Sequence, residues 1–309
     1  MQDQVSLTVA IPTYNKEQYI KRCIDSVLRQ NMSIKIVVID NQSTDATWNI
    51  INSYGDEITK IQNSTNLGMG GNWNKCIDSC DTDLLMILHA DDELLDGALQ
   101  SYQEFFSLHP TIGLMHAGSI FVNEDTHAEF AAISDSQSIR TRGVDALNKV
   151  IGDANIICSS VIVPKKIYDE VGYFLTDSLS SDIELWARIA KKYDIGYITQ
   201  NTVKVYVNDS STGKNSLLGR SVKEILGDWD NLNNLMLSYY NIKDQNQAKK
   251  YSNKAIIAGL IMIMMAAYGA KQYGKIFQSL YYIFFKYNAL FNPIVWQKLT
   301  SAIQKRFFS

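Results

Sequence analysis

The sequence predicts an α/β protein: a mostly parallel sheet flanked by helices, followed by an all-helical C-terminal region. Three observations carry this. Strand and helix patterns alternate four times before residue 107, the rhythm of a parallel sheet covered on both faces. Two strand-like runs, "IVVI" and "LLMIL", are apolar without alternation, which suits central strands buried on both sides. Beyond residue 250 the composition shifts: residues 251–309 hold seven Lys or Arg, no Asp or Glu, and 13 of the 33 aromatic residues.

In order along the chain, "VSLTVAI" (5–11) alternates and is rich in β-branched residues, so it reads as a strand. Asn15, with Gln18 three positions on, is placed to cap a helix that buries Tyr19, Cys23 and Val27 and runs to Gln30. "IKIVVID" (34–40) is the second strand, and Ser43 or Thr44 opens a helix through Trp48, Ile51 and Tyr54. A short strand at 58–61, the Gly-rich "NLGMGGN" and a helix from Asn72 to Cys80 follow. "DLLMILHADD" (83–92) supplies the fourth strand, and 96–106 the next helix.

The second half adds "IGLMHAGSIFV" (112–122) and "NIICSSVIV" (155–163) as strands and a helix at 182–192. "IGYIT" (195–199) and "TVKVYV" (202–207) read as edge or antiparallel additions. This places a sheet domain at 1–215 and a helical, basic and aromatic region at 216–309. In that region the apolar run at 255–270 has only 16 residues, short of the roughly 20 that span a bilayer, so a buried hairpin helix is expected. Tyr273, Ile276, Phe277, Leu280, Ile283, Phe284, Tyr287 and Leu290 then recur in steps of three and four, with Lys275, Gln278, Ser279 and Lys286 off the stripe. Asn292-Pro293 ends this helix, and a last one carries Trp296, Leu299, Ile303 and Phe307.

Composition excludes several classes. The cysteines are Cys23, Cys76, Cys80 and Cys158, without a CxxC pair, so neither a disulfide scaffold nor a structural zinc site is expected. "MQDQVSLTV" lacks the features of a secretory signal, and a cytoplasmic protein is expected. "GMGG" (68–71) lacks the spacing and the strand-one position of a dinucleotide loop. The first 250 residues carry 22 basic and 32 acidic residues, a balance that argues against nucleic acid as the partner.

The chemistry points to the sheet's rim. Ligands of open α/β sheets bind beyond the carboxyl ends of the strands, where "PTYN", "DNQS" and "HADD" fall. There Tyr14 could stack on a ring and Asp40 accept a base or ribose hydrogen bond. Asp91 and Asp92 are an unusual concentration of like charge behind an apolar run. They suit Mg²⁺ or Mn²⁺, hard cations that take oxygen ligands and share them with phosphates. Singly, Tyr14 reads as a packing residue and Asp40 as a turn former, and Asp91-Asp92 reads as well as a capped turn; the coincidence of all three at strand ends favours the ligand reading.

"VAIPTYNKEQYIKRCIDSVLRQ", "IVVIDNQSTDAT", "NLGMGGNWNKCID", "LHADDEL" and "DIELWARIA", taken in this order, resemble the family 2 glycosyltransferases of the GT-A fold. The resemblance implies a nucleotide-diphosphate sugar donor, a divalent metal and inversion at the anomeric carbon. Pro12, Tyr14, Asp40, Asn66 and Gly68 would line the nucleotide site, Asp91 would lie at the ribose or metal, and Asp92 would be the direct metal ligand. Asp182 would be the general base that accepts the acceptor hydroxyl's proton, its competing role being a plain N-cap. Where relatives show Asp-x-Asp, this chain has His89-Ala90-Asp91, so either His89 contributes or Asp92 and the diphosphate hold most of the metal. Ser181 replaces the first acid before Asp182, and Asp209 stands where relatives carry a His that reaches the metal or diphosphate. Arg188 is expected in a salt bridge or on phosphate, and Trp186 in the acceptor wall or the core.

The resemblance further implies a lipid-linked glycan acceptor in surface polysaccharide assembly of the O-antigen or capsule type. The tail's basic and aromatic composition fits either a helical hairpin, including one that forms a homodimer, or an anchor on the inner face of the cell membrane. Two other functions compete: a sugar nucleotidyltransferase, disfavoured because "PTYNKEQY" has no glycine, and a non-catalytic membrane-docked scaffold.

Overall fold

The computed structural model describes residues 5–132, 138–152, 156–178, 180–207 and 218–287. It divides the chain into two compact units, residues 1–208 and 209–309. The expected boundary near 215, Asp209 and the helix expected after Pro293 lie outside the described residues.

The first unit begins with β1 (Leu7–Thr13), α1 (Ile20–Leu28), β2 (Lys35–Asp40), α2 (Thr47–Asn52), β3 (Thr59–Gln62), α3 (Gly68–Asp78) and β4 (Leu84–Ile87). It continues with β5 (Glu93–Leu94), α4 (Ala98–Leu108), β6 (Leu114–Asn123), β7 (Glu129–Ala132), β8 (Ile139–Arg140) and α5 (Val144–Gly152). A 3₁₀ turn at Cys158–Ser160 leads into β9 (Val161–Pro164), α6 (Lys165–Val171), α7 (Ser181–Lys192) and β10 (Ile195–Val207). Among the described residues one sheet runs in the order β3-β2-β1-β4-β9-β6-β10-β5, with β7 on β6 and β8 on β10. The strands from β3 to β4 are parallel, β9 is antiparallel to both neighbours, and β6 and β10 are parallel.

Burial on both faces explains the apolar runs. Every residue of β1 and β4 is buried, and α1 turns Ile20, Cys23, Ile24 and Val27 into the core. Each such aliphatic side chain contributes about 1.5–3 kcal/mol when fully buried. Register then aligns the polar ends: Thr13 pairs with Asp40, and Asp40 with Gln62.

Several expectations are corrected. Asn15 does not cap α1, which starts at Ile20 without a side-chain cap; Asn15 sits at φ 51°, a left-handed turn that Asn tolerates. Helix α3 begins within the Gly-rich stretch, not at Asn72, and stops before Cys80. The first part of 155–163 contains a 3₁₀ turn, with strand only from Val161. The two segments read as edge additions are one 13-residue strand, β10. It lies inside the sheet, parallel to β6 and antiparallel, as one expected alternative had it, to the short strands β5 and β8, with register shifts around Asn201 that absorb the polar interruption. All four cysteines are buried and free.

The second unit contains α8 (Val222–Leu237), a 3₁₀ turn (Ile242–Asp244), α9 (Gln245–Gly269), α10 (Tyr273–Tyr281) and a π-helical turn (Tyr282–Lys286). Ser221 opens α8 with a reciprocal capping box to Glu224. Val222, Ile225 and Leu226 meet Ile256, Ile257, Leu260, Ile263 and Ile283 in its core. Helix α9 has 25 residues, longer than the apolar run alone. Ala248–Tyr268 is long and apolar enough to cross a membrane by length and composition, and 47% of it is buried. The expected stripe on α10 splits. Ser279 and Ile283 are buried, whereas Tyr273 and Phe277 face outward with Tyr281 and Phe285, which are 54–75% exposed.

Candidate active site

The site is built where β1, β2 and β4 end. After β4 the chain makes a tight turn in which the Asp92 amide donates to the His89 carbonyl at 3.0 Å. That turn folds one ligand atom each from His89, Asp91 and Asp92 to within 4.8 Å of one another. Asp92 is 3% exposed. Its Oδ2 accepts from the Ser159 hydroxyl at 2.5 Å, and its Oδ1 from the Tyr206 amide at 3.3 Å. Ser159 in turn accepts from the His89 amide at 3.1 Å. The 3₁₀ turn before β9 and the end of β10 thus lock this carboxylate in place.

The two adjacent carboxyls differ electrostatically. Burial, reinforced by the charge of Asp91, pushes Asp92 up to about 7, against the Ser159 and Tyr206 hydrogen bonds. Burial acts on Asp91 in the same direction but is outweighed, chiefly by the Lys16 ammonium 2.6 Å away, and Asp91 stays below the ordinary carboxylate value. Burial lowers His89, favouring its neutral, ligating form. Its Nε2 is buried without a hydrogen-bond partner. An imidazole with one orphaned nitrogen, and with a ring nitrogen within 4.8 Å of an oxygen of each of the two carboxylates, fits a divalent cation taking nitrogen and oxygen ligands.

A second strand end joins this one through polar contacts. Asp40 is fully buried; its Oδ1 accepts from the Ser43 hydroxyl at 2.5 Å, and its Oδ2 from the Ser43 amide at 3.1 Å and Gln62 at 3.0 Å. Ser43 Oγ accepts from the Asn15 amide at 2.9 Å, and Asn15 Oδ1 from the Thr44 amide at 2.8 Å. The next residue, Lys16, pairs with Asp91. Asp40, Ser43, Asn15, Lys16 and Asp91 therefore form one continuous polar path along the rim. Pro12 is buried in β1, and Tyr14 is 44% exposed at its end.

Asn66 and Gly68 belong to a neighbouring amide cluster. Asn66 Oδ1 accepts from the Gly68 amide and from Asn41 Nδ2, each at 2.9 Å. Asn41 Oδ1 accepts from the Leu67 amide at 2.9 Å and Asn63 Nδ2 at 3.0 Å, and Asn63 also donates to Asn72 at 2.9 Å. Gly68 at φ 71° allows the turn into α3. A Cβ on Gly70 would lie 2.6 Å from the Leu175 carbonyl, so α3 can approach that loop only through glycine.

Asp182 is in the first turn of α7, its Oδ1 accepting from the Ile183 amide at 2.8 Å. Burial raises its pKa. The Cys158 thiol is pushed up by burial and by the charges of Asp182 and Asp92. An aromatic chain also spans this region. His89 stacks on Trp73 (5.2 Å between centroids, 14°), Trp73 meets Phe174 edge-on at 5.1 Å, and Phe174 meets Trp186 at 5.8 Å. Trp186, on the same helix as Asp182, is a core residue. Arg188 is a structural clamp: it pairs bidentately with buried Glu184 and donates to the carbonyls of Val171 and Tyr173 at 2.6–2.7 Å.

Sequence reasoning passed over Lys16, Ser159, Tyr206 and the Asn41–Asn63–Asn72 cluster. Only the asparagines carried a signal, as four Asn within "DNQS" and "QNSTNLGMGGN".

In an open α/β sheet ligands bind beyond the carboxyl ends of the strands, and here a carboxylate turn and an amide-lined loop lie at those ends. The chain belongs to glycosyl transferase family 2, whose pattern matches residues 8–172. It is similar to the abequosyltransferase RfbV of Salmonella typhimurium, 27% identical over 183 residues, 54% of this chain and 55% of that one. A GalNAc(5)-diNAcBac-PP-undecaprenol β-1,3-glucosyltransferase of Campylobacter jejuni is 29% identical over 103 residues, 32% of this chain and 33% of its own. The chain thus spans about a third to a half of the length of these curated relatives. The crystal structure of S. aureus TarS 1–349 in complex with UDP-GlcNAc superimposes with a TM-score of 0.64 at 15% identity, covering 84% of this chain and 81% of that one. That likeness bears out the GT-A-like fold.

Proposed function

We propose that this glycosyl transferase family 2 protein moves a sugar from a nucleotide-diphosphate sugar to an acceptor hydroxyl, with inversion at the anomeric carbon. The observation that carries the reading is the continuous path from Asp40 to Asp91, which makes one rim of two strand ends. Tyr14 would stack on the base beside Pro12 and Asp40, while Asn66 and Gly68 border the nucleotide. His89, Asp91 and Asp92 would hold Mg²⁺ or Mn²⁺, which when bound neutralises charge on the departing diphosphate. Asp182, ionised and made more basic by burial, takes the acceptor hydroxyl's proton. The oxygen then bonds to the anomeric carbon, and the bond to the diphosphate breaks, its electron pair leaving with the nucleotide.

A lipid-linked glycan acceptor in surface polysaccharide synthesis is supported by the undecaprenol-linked substrate in the Campylobacter relative's name. It is also supported by the second unit. Tyr273, Phe277, Tyr281 and Phe285 make an exposed aromatic line on a helix without acidic residues, the composition of helices that lie in the headgroup region of a membrane. We read the protein as peripheral on the cytoplasmic face.

Calorimetric titration with UDP, dTDP, GDP and CDP, with and without Mn²⁺, tests the donor reading. One nucleotide should bind with Mn²⁺ and much more weakly with chelator. Heat from none of them would favour a non-catalytic scaffold, and pyrophosphate released from a nucleoside triphosphate and a sugar 1-phosphate would favour a nucleotidyltransferase.

A further inference from the structure

Lys16 has no role in the chemistry above, yet its ammonium pairs with one of the carboxylates proposed to hold the metal. Its backbone amide donates to Thr47 Oγ1 at 2.7 Å, which fixes the base of the side chain, and its Nζ lies 2.6 Å from Asp91 Oδ2. The side chain is 21% exposed and its partner 31%, so the pair is only partly screened by water. A second cation at this turn, Arg22, is committed elsewhere: it donates to the Asp91 carbonyl at 2.9 Å, lies 3.4 Å from Glu124 and stacks 3.4 Å over the Tyr206 ring. Lys16, by contrast, combines a fixed root with a movable head, a point charge on a four-carbon stem.

We propose that Lys16 is an exchangeable counter-cation: it neutralises Asp91 before the donor binds, yields that oxygen to the divalent metal, and then places its charge on the donor's diphosphate. This rests on the metal and donor reading above. Asp91 and Asp92 together present up to two negative charges, of which Lys16 offsets one. A divalent cation offsets both and leaves the ammonium without a partner, while the incoming diphosphate brings new negative charge to the same place. The exchange keeps the site near neutrality at each stage, so neither a bare carboxylate pair nor a bare ammonium is left partly buried.

The signature is two affinities moving in opposite directions. Without the ammonium, Mn²⁺ alone meets no competitor and binds more tightly, whereas nucleoside diphosphate binding in the presence of Mn²⁺ loses an attraction and weakens. A packing role would shift both in one direction or neither. The test uses the full chain with Lys16→Met, which keeps the apolar stem, and Lys16→Gln as a second neutral variant, with thermal melting to verify folding. Free Mn²⁺ is read by its electron paramagnetic resonance signal, and UDP, dTDP, GDP and CDP are titrated calorimetrically at saturating Mn²⁺. We expect Mn²⁺ affinity to rise about tenfold and nucleotide affinity to fall about tenfold, while Lys16→Arg keeps the wild-type values within about threefold. Mn²⁺ affinity that stays unchanged or falls, or nucleotide affinity that stays unchanged, overturns the exchange. A wild-type chain that binds neither Mn²⁺ nor any of the nucleotides overturns the underlying donor reading as well.

Discussion

The two units of the chain expose opposite chemistries. Residues 1–208 carry 16 basic and 27 acidic residues, and residues 209–309 carry 13 basic and 5 acidic. In the first unit, three of the exposed large apolar side chains, Tyr14, Leu67 and Met69, lie at or beside the strand-end rim and its amide cluster. In the second, four of them form a line at intervals of four residues on one helix and its π-helical extension. In the proposed reading exposed apolar surface marks a working face in both units, but its polar company differs. On that reading, buried carboxylates and amides beside it would recognise a small charged molecule, and an aromatic line on a helix that itself carries no acidic residue would suit an extended anionic surface. If that contrast is right, variants in one unit should leave the other unit's activity untouched.

The largest expected separation comes from Asp182→Asn. The carboxamide keeps the shape and can still accept the Ile183 amide, but it takes no proton. Turnover with the donor and a soluble acceptor should fall about 10³-fold, while calorimetry should give an unchanged nucleotide dissociation constant and vesicle flotation an unchanged bound fraction. Near-wild-type turnover would remove Asp182 from the chemistry.

The next effect is on stability and has a definite sign. In the folded, metal-free chain, burial and the charge of Asp91 push Asp92 up to about 7, from an ordinary value of 3.8. Between those values the native state holds a proton that the unfolded chain has released. The stabilisation is therefore full below the unfolded value and is lost as pH rises through 7. Asp92→Asn mimics the protonated form. In chelator at pH 8 it should raise the unfolding free energy by about 2 kcal/mol, with about 4 as the upper bound, and the gain should shrink at lower pH. The same variant should lose metal-dependent nucleotide binding. A carboxylate kept only for packing would behave oppositely, destabilising at pH 8 when replaced.

Legibility followed burial. Strands β1, β2 and β4 were readable because residues buried on both faces must be apolar throughout. Strand β10 was not, because Gln200 and Asn201 interrupt it and the register shifts absorb that break. Asp91 and Asp92 stood out because adjacent like charges behind an apolar run have few structural uses. Lys16 did not, since a loop lysine looks the same whether it is solvated or faces a carboxylate 2.6 Å away. Helix α9 is longer than its apolar run predicts because its first turns, "QNQAKKYSNK", are polar and only its second half is apolar. The α10 stripe omits Tyr281 and Phe285 because periodicity reports only that a helix has an apolar side, and the packing of Ser279 and Ile283 decides which side turns inward.

That last point supports the smallest of the expected effects. If the outward line of Tyr273, Phe277, Tyr281 and Phe285 seats in a headgroup layer, its two most exposed members, Phe277 at 71% and Phe285 at 75%, contribute most. Phe277→Ser with Phe285→Ser should lower partitioning onto vesicles containing phosphatidylglycerol by about tenfold, equivalent to about 1.4 kcal/mol. Lys271→Gln should cost a further factor of about five, near 1 kcal/mol for one cation at an anionic surface, and raised salt should erase that part alone. Turnover on a soluble acceptor should be unchanged throughout. The exposure pattern also distinguishes membrane from self-association: a second copy covering the same face would give a concentration-dependent change in sedimentation that the serine pair abolishes. Vesicle binding lost with sedimentation unaltered assigns the line to lipid, and the reverse result assigns it to a dimer.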